Sequence, residues 1–216
     1  MALIMLAGPG RAGDAPSGLP CPAASTPMLP APAPLQGAAA GFDRRLRQIV
    51  AARDLAGFLA LLHPEVLVSF GGDGGLAEFQ AHWALERPEG AARLWAVLEQ
   101  LLQLGAGARP DEPDALSYPW QFVNWPAEEE AYDIWIPLPG ARLRTAPALS
   151  APALAGAPGQ VLRALAEPEG EWLAVAAPGL CPAYLPRTEA VPLLGPRLMA
   201  WHEGGRWQIE ALVAGD

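Results

Sequence analysis

Residues 141–191 read ARLRTAPALSAPALAGAPGQVLRALAEPEGEWLAVAAPGLCPAYLPRTEAV. Short apolar runs are cut by Pro or Gly about every 8–12 residues, the punctuation of a small β-barrel or sandwich. Val161, Arg163 and Leu165 alternate with Leu162 and Ala164, so neither face of that strand is strongly polar. Such a strand is pressed on both sides, here between the barrel and another domain. Downstream, Leu198 to Glu203 and Arg206 to Val213 flank Gly204-Gly205, a two-residue turn suited to type I′ geometry. In that register Glu203 faces Arg206, His202 faces Trp207 and Ala200 faces Ile209. Trp207, Ile209, Ala211 and Val213 then share an apolar core face with Leu198 and Ala200, while Trp201 lies opposite with Gln208.

Three segments of that stretch resemble a known family. Leu143-Arg144-Thr145-Ala146-Pro147, followed by Ser150-Ala151-Pro152, is similar to the first strand and loop of the bacterial SH3-like (SH3b) domain. Gly170-Glu171-Trp172-Leu173-Ala174-Val175 is similar to its G-x-W-x-x-V strand, and Ala183-Tyr184-Leu185 through Val191 to its closing segment. The resemblance implies a small β-barrel with Trp172 and Tyr184 in its core, joined by Trp207 from the final hairpin. It also implies an extracytoplasmic docking module. The chain departs from the family at Ala183, where a Gly is usual, and at Ala176 to Pro182, which carries Cys181 and two prolines in place of a polar hairpin. The early loop from Ala146 to Ala157 holds no aromatic residue, so a purely structural barrel is the competing reading.

Among 216 residues, 51% are hydrophobic and the formal net charge is -9. That charge repels polyphosphate and anionic membrane surfaces, which argues against general nucleic-acid binding. All 14 basic residues are Arg. No apolar run reaches the ~20 residues needed to span a bilayer. Met1 to Ala7 (MALIMLA) resembles the core of a signal peptide without its basic flank or cleavage site, and reads as a truncated remnant. An ordinary apolar N-terminus is the alternative. Cys21 and Cys181 could pair in an oxidising compartment and tie the tail to the β half; otherwise they are two separate thiols.

Residues 8–41 are rich in Pro, Ala and Gly without periodicity and read as a disordered tail. Order is expected from Phe42, where Phe42, Leu46, Ile49 and Val50 form one helical stripe. Arg44, Arg45 and Arg47 fall on other faces, as a solvated surface or as a basic docking site. Asp54 can cap a second helix through Leu62, ended by His63-Pro64, and Val66, Val68 and Phe70 alternate as a strand. Leu76, Phe79 and Trp83 mark a third helix, and Leu94, Leu98, Leu101 and Leu102 a fourth. Arg109 to Trp125 reads as a Pro-rich loop carrying Tyr118, Trp120, Phe122 and Trp125. Over roughly residues 42–85 this order resembles the opening of the cone-shaped nuclear-transport-factor-like fold. The curved sheet of that fold does not follow directly, and the final hairpin could supply part of it.

Chemistry-bearing motifs are few. Gly72-Asp73-Gly74-Gly75-Leu76-Ala77 has the outline of a dinucleotide fingerprint, but a further helix follows in place of a parallel strand, and Asp73 would repel a pyrophosphate. Asp73 and His82 could form an acid/base pair only if the fold brings them together. His63, His82 and His202 lack metal-ligand spacing, so no metal is expected. No serine sits in a G-x-S-x-G elbow, Cys181 has no evident His partner, and Asp111 and Asp114 lie in the Pro-rich stretch. No catalytic residue and no cofactor are implied. Trp120, Phe122 and Trp125 are the candidate ligand surface, or they seal the junction between the halves.

The expectation is an α+β chain: a tail over 1–41, a mainly helical domain over 42–127, and an SH3-like β domain with a terminal hairpin over 128–216. Its expected role is a non-enzymatic exported module, periplasmic or extracellular, that binds a cell-wall or periplasmic protein partner. A small-molecule-binding or enzymatic cone-like N-terminal domain, a purely structural barrel, and a cytoplasmic location are the alternatives.

Overall fold

The computed structural model describes residues 21, 28–109, 111–154, 161–168, 170–177 and 180–215. The signal-like Met1 to Ala7 stretch and most of the Pro-rich tail lie outside the described residues.

Helix α1 spans Gly37–Ala52 and buries Phe42, Leu46, Ile49 and Val50, the stripe its spacing predicts. It starts earlier than Phe42, and Leu29 before it is buried too, so the later part of the supposed tail belongs to the folded body. Helix α2, Leu55–Leu59, is capped by Asp54, whose carboxylate accepts a hydrogen bond from the Gly57 N–H. His63-Pro64 does not end that helix; both residues lie inside strand β1, Leu62–Leu67. Pro64 is tolerated because β1 is an edge strand, where a missing N–H costs little. Helix α3 is Leu76–His82 and α4 is Pro88–Leu104, with Leu94, Trp95, Leu98, Leu101 and Leu102 buried. Gly90 lets α4 dock on the preceding turn, since a Cβ there would stand 2.2 Å from the carbonyl oxygens of Trp83 and Ala84.

The expected loop from Arg109 to Trp125 is structured. It forms strands β2, Gly107–Arg109, and β3, Glu112–Tyr118, then a short helix α5, Trp120–Val123. Ala115, Leu116, Ser117 and Tyr118 are buried consecutively, so both faces of β3 are covered and no alternation shows in the sequence.

Strands β9, Arg197–Glu203, and β10, Arg206–Val213, form the hairpin foreseen. Gly204 and Gly205 both have positive φ, as a type I′ turn requires, and the pairs from Glu203–Arg206 to Ala200–Ile209 match the expected register. A bulge after Ile209 then shifts the ladder, so Leu212 rather than Ala211 stands opposite Leu198 and enters the core.

The hairpin does not extend the C-terminal β domain. The first sheet has the order β1-β10-β9-β3-β2, with β1 parallel to β10 and the other pairs antiparallel. The expected boundary at residue 128 is therefore only an exit point; the chain leaves this sheet after β3 and returns for β9. The helices cover the face carrying Leu116, Tyr118, Leu198, Ala200 and Ile209, in one core with Phe58, Phe79 and Leu98. Trp207 packs there against Phe42 and so belongs to this layer, not to a barrel core.

The excursion builds a second sheet from β4, Ile134–Pro137, β5, Leu162–Ala164, β6, Trp172–Ala177, β7, Leu180–Pro186, and β8, Ala190–Pro192. Its order is β7-β6-β5-β4-β8, all antiparallel. Among the described residues β7 and β8 do not pair, so no closed barrel forms. Two of the expected core positions are corrected. Leu173 and Val175 point into this sheet's core, which leaves Trp172 on the opposite side and only half-buried. Tyr184 is buried but lies across the sheet from Ala183 and Leu185, which fill that core.

A third apolar cluster joins the two sheets: Trp120 and Leu104 from the first layer meet Ile134, Ile136, Val161 and Leu193 from the second. Strand β4 sends Ile134 and Ile136 into this junction and Trp135 into its own core. Val161 and Leu162 divide in the same way, which accounts for a stretch apolar on both faces.

Candidate functional site

The rim of α1 carries a surface groove among the described residues. Asp43 and Arg47 sit one turn apart beside the buried stripe, and Arg44 points further out. Residues 32–35 run alongside α1 and form the opposite wall, with Ala40 and Ala106 between them. The groove is open to solvent, with a volume of about 340 Å³.

A hydrogen-bond network fixes the floor. The Tyr118 hydroxyl on β3 donates to Asp43 Oδ1 at 2.9 Å. Arg47 Nε donates to Asp43 Oδ2 at 2.8 Å, and its Nη1 donates to the Leu102 carbonyl at 2.8 Å. Arg47 is thus held between α1 and the end of α4. Among the described residues Arg44 forms no ion pair.

Burial pushes the Tyr118 phenol well above its ordinary value of 10.0, helped by the charge of Asp43 and the hydrogen bond to it. The folded chain therefore keeps this proton where the unfolded chain has lost it. Unfolding releases a proton above about pH 10, so stability falls as pH rises past that point, by up to about 1.4 kcal/mol per pH unit. Below it the group has no such effect. Tyr118→Phe is expected to cost about 1–2 kcal/mol near neutral pH and to remove this alkaline loss. Urea unfolding midpoints near neutral pH and near pH ~11 check both. An unchanged alkaline slope in the variant would exclude Tyr118 as its source.

The residues singled out in the sequence are placed elsewhere. Asp73 precedes α3 and His82 is its last residue, so a helix length of roughly 10 Å separates them and no acid/base pair is assembled. The glycine loop closes the free edge of β1: Gly75 N–H donates to the Val66 carbonyl, and a Cβ on Gly74 would stand 2.9 Å from the Glu65 carbonyl oxygen. Gly74 N–H also donates to Glu78. His82 is exposed beside the Trp83 ring. His63 and His202 each meet one carboxylate, Glu210 at 3.5 Å and Asp114 at 3.3 Å. Among the described residues no group of three or more His, Cys, Asp or Glu gathers to hold a metal.

The three aromatics are not a free ligand surface. Trp120 is 6% exposed in the junction cluster, with Phe122 and Trp125 packed against it. The Arg197 guanidinium lies 4.1 Å from the Phe122 ring centroid, and its Nη2 donates to the Gly215 carbonyl. Trp125 Nε1 donates to the Glu129 carbonyl. Cys21 and Cys181 form a disulfide that ties the N-terminal segment to β7.

Comparison with family models, curated proteins and solved structures finds no match for this chain. The Asp43–Arg47 pair was missed in the sequence, although its four-residue spacing on a helix is the signal that could have found it. Tyr118 was hidden, because its stretch reads as a Pro-rich loop until β3 pairs with β9.

Proposed function

We propose that this chain is an exported, non-enzymatic interaction module that docks to cell-wall peptide or glycan. The observation that carries this reading is the Cys21–Cys181 disulfide, a bond that persists in oxidising compartments outside the cytosol. The SH3-like resemblance of residues 141–191 supports a docking role, and the small antiparallel sheet built there is compatible with it.

The helix–helix–strand–helix opening followed by the β1-β10-β9-β3-β2 sheet supports the nuclear-transport-factor-like resemblance of the first layer. The enzymatic form of that reading has less support. The space between helices and sheet, where a cone-like fold would hold a ligand, is filled by Phe42, Phe58, Phe79, Leu98 and Trp207.

Co-sedimentation of the purified, oxidised chain with bacterial wall sacculi tests the proposal. Saturable retention above that of an unrelated acidic protein is expected. Retention no greater than that control sinks wall docking. Trp120 is a poor probe in such an assay, since its loss damages the junction before any surface.

A further inference from the structure

We propose that the groove between residues 32–35 and α1 binds the free carboxylate of an extended peptide, with Arg44 and Arg47 as its anion anchors. This adds to the docking reading a site on the first layer, away from residues 141–191, and rests on that reading for the source of the ligand.

The volume, 340 Å³, lies at the small end of the ~300–1,000 Å³ range of ligand clefts. It suits a short stretch of small residues better than a bulky ring system. The walls are apolar where Pro32, Pro34, Leu35, Ala40 and Ala106 line them, and charged at one side where α1 presents Asp43, Arg44 and Arg47. Pro32 and Pro34 have no N–H, so the wall over residues 32–35 offers mainly carbonyl oxygens. Among the described residues, 28–35 make no backbone hydrogen bond. In the proposed complex, carbonyls of this wall meet the N–H donors of a peptide laid alongside, while the arginines take its carboxylate.

The anchors are unequal in a useful way. Arg47 is already oriented by Asp43 and the Leu102 carbonyl, so its remaining nitrogen needs little reorganisation to meet an anion. Arg44 carries a charge that no carboxylate of the described residues neutralises, and its planar fork matches a carboxylate in two-point contact. The surroundings add selectivity of place. In a chain of net charge -9, Arg44 and Arg45 on α1 form no ion pair among the described residues, so an anion repelled elsewhere is drawn to this helix.

The test uses the full oxidised chain, isotopically labelled, titrated by NMR with N-acetyl-trialanine bearing a free carboxylate, and with the same peptide as its C-terminal amide. Saturable shifts at Ala40, Arg44, Arg47 and Ala106 are expected with the acid, and binding about tenfold weaker with the amide. Arg44→Gln should weaken the acid about tenfold while the melting temperature holds, because Arg44 is exposed and supports no structural contact. Equal binding of acid and amide, shifts confined to another surface, or the absence of saturation would overturn the proposal. The two readings fail separately. Sacculus retention undiminished in Arg44→Gln, with no peptide binding, removes the groove and leaves wall docking standing. Carboxylate-dependent peptide binding without sacculus retention keeps the groove and removes the wall as its source.

Discussion

Trp120→Ala is expected to destabilise the chain by about 3–5 kcal/mol. Its indole fills the junction together with Leu104, Ile134, Ile136, Val161 and Leu193, so both layers lose contacts at once. The space left cannot be refilled from β2. Gly107 has no side chain, and its backbone is already so close that a Cβ there would lie 2.8 Å from the Trp120 Cβ. The cavity therefore persists, which puts the cost toward the upper part of the range. For a chain of this length each kcal/mol lowers the melting temperature by about 2–4 °C, so a drop of roughly 10 °C or more should be read by calorimetry. Trp201→Ala, at a residue 38% exposed on the first sheet, is the comparison and should cost far less. Equal losses in the two variants would mean that the junction is not what holds the layers together.

Breaking the disulfide is the second large effect. Cys21 and Cys181 are 160 residues apart, and by the chain-entropy argument closing so long a loop contributes about 5 kcal/mol. Cys181→Ser, or reduction of the wild type, should lower the urea midpoint and steepen the slope, because the unfolded chain without the cross-link is more expanded. The loss should also be local. Leu29 is buried in the junction and residues 32–35 wall the groove, yet among the described residues no backbone hydrogen bond holds 28–35 in place. Hydrogen exchange in this segment should rise more than in α4 or β9. A midpoint that is the same oxidised and reduced would show that the N-terminal segment is held by its apolar contacts alone.

What could be read from the sequence was local. The stripes of α1 and α4 follow from apolar residues spaced three and four apart, and burying such a stripe needs only some partner layer. The register of the hairpin as far as Ile209 follows from two glycines that accept positive φ. The two-sided apolar pattern around Val161 and Leu162 pointed to a strand covered on both faces; the structure has the two residues in separate clusters, with an open sheet in place of the expected barrel. The side of β6 that faces inward was not readable from a motif. Trp172 invites burial by its size, but the strand alternates strictly, and Leu173 with Val175 takes the inner face.

Tertiary pairing decided the rest. Strand β3 and the hairpin are separated by the whole second sheet in the chain, yet they are hydrogen-bonded neighbours, and no short-range pattern encodes a partner so distant. That pairing turned a Pro-rich loop into a buried strand and moved Trp120 from surface to junction. It also brought the Tyr118 hydroxyl to Asp43, 75 positions away in the chain. The sequence by itself determined the apolar stripes of α1 and α4, the turn and the acidic balance, because each depends on composition or on residues within a few positions of one another. The groove, the interrupted first sheet and the tie from Cys21 to Cys181 arise only when segments far apart in the chain share one core, where burial rewards complementarity that no local window contains.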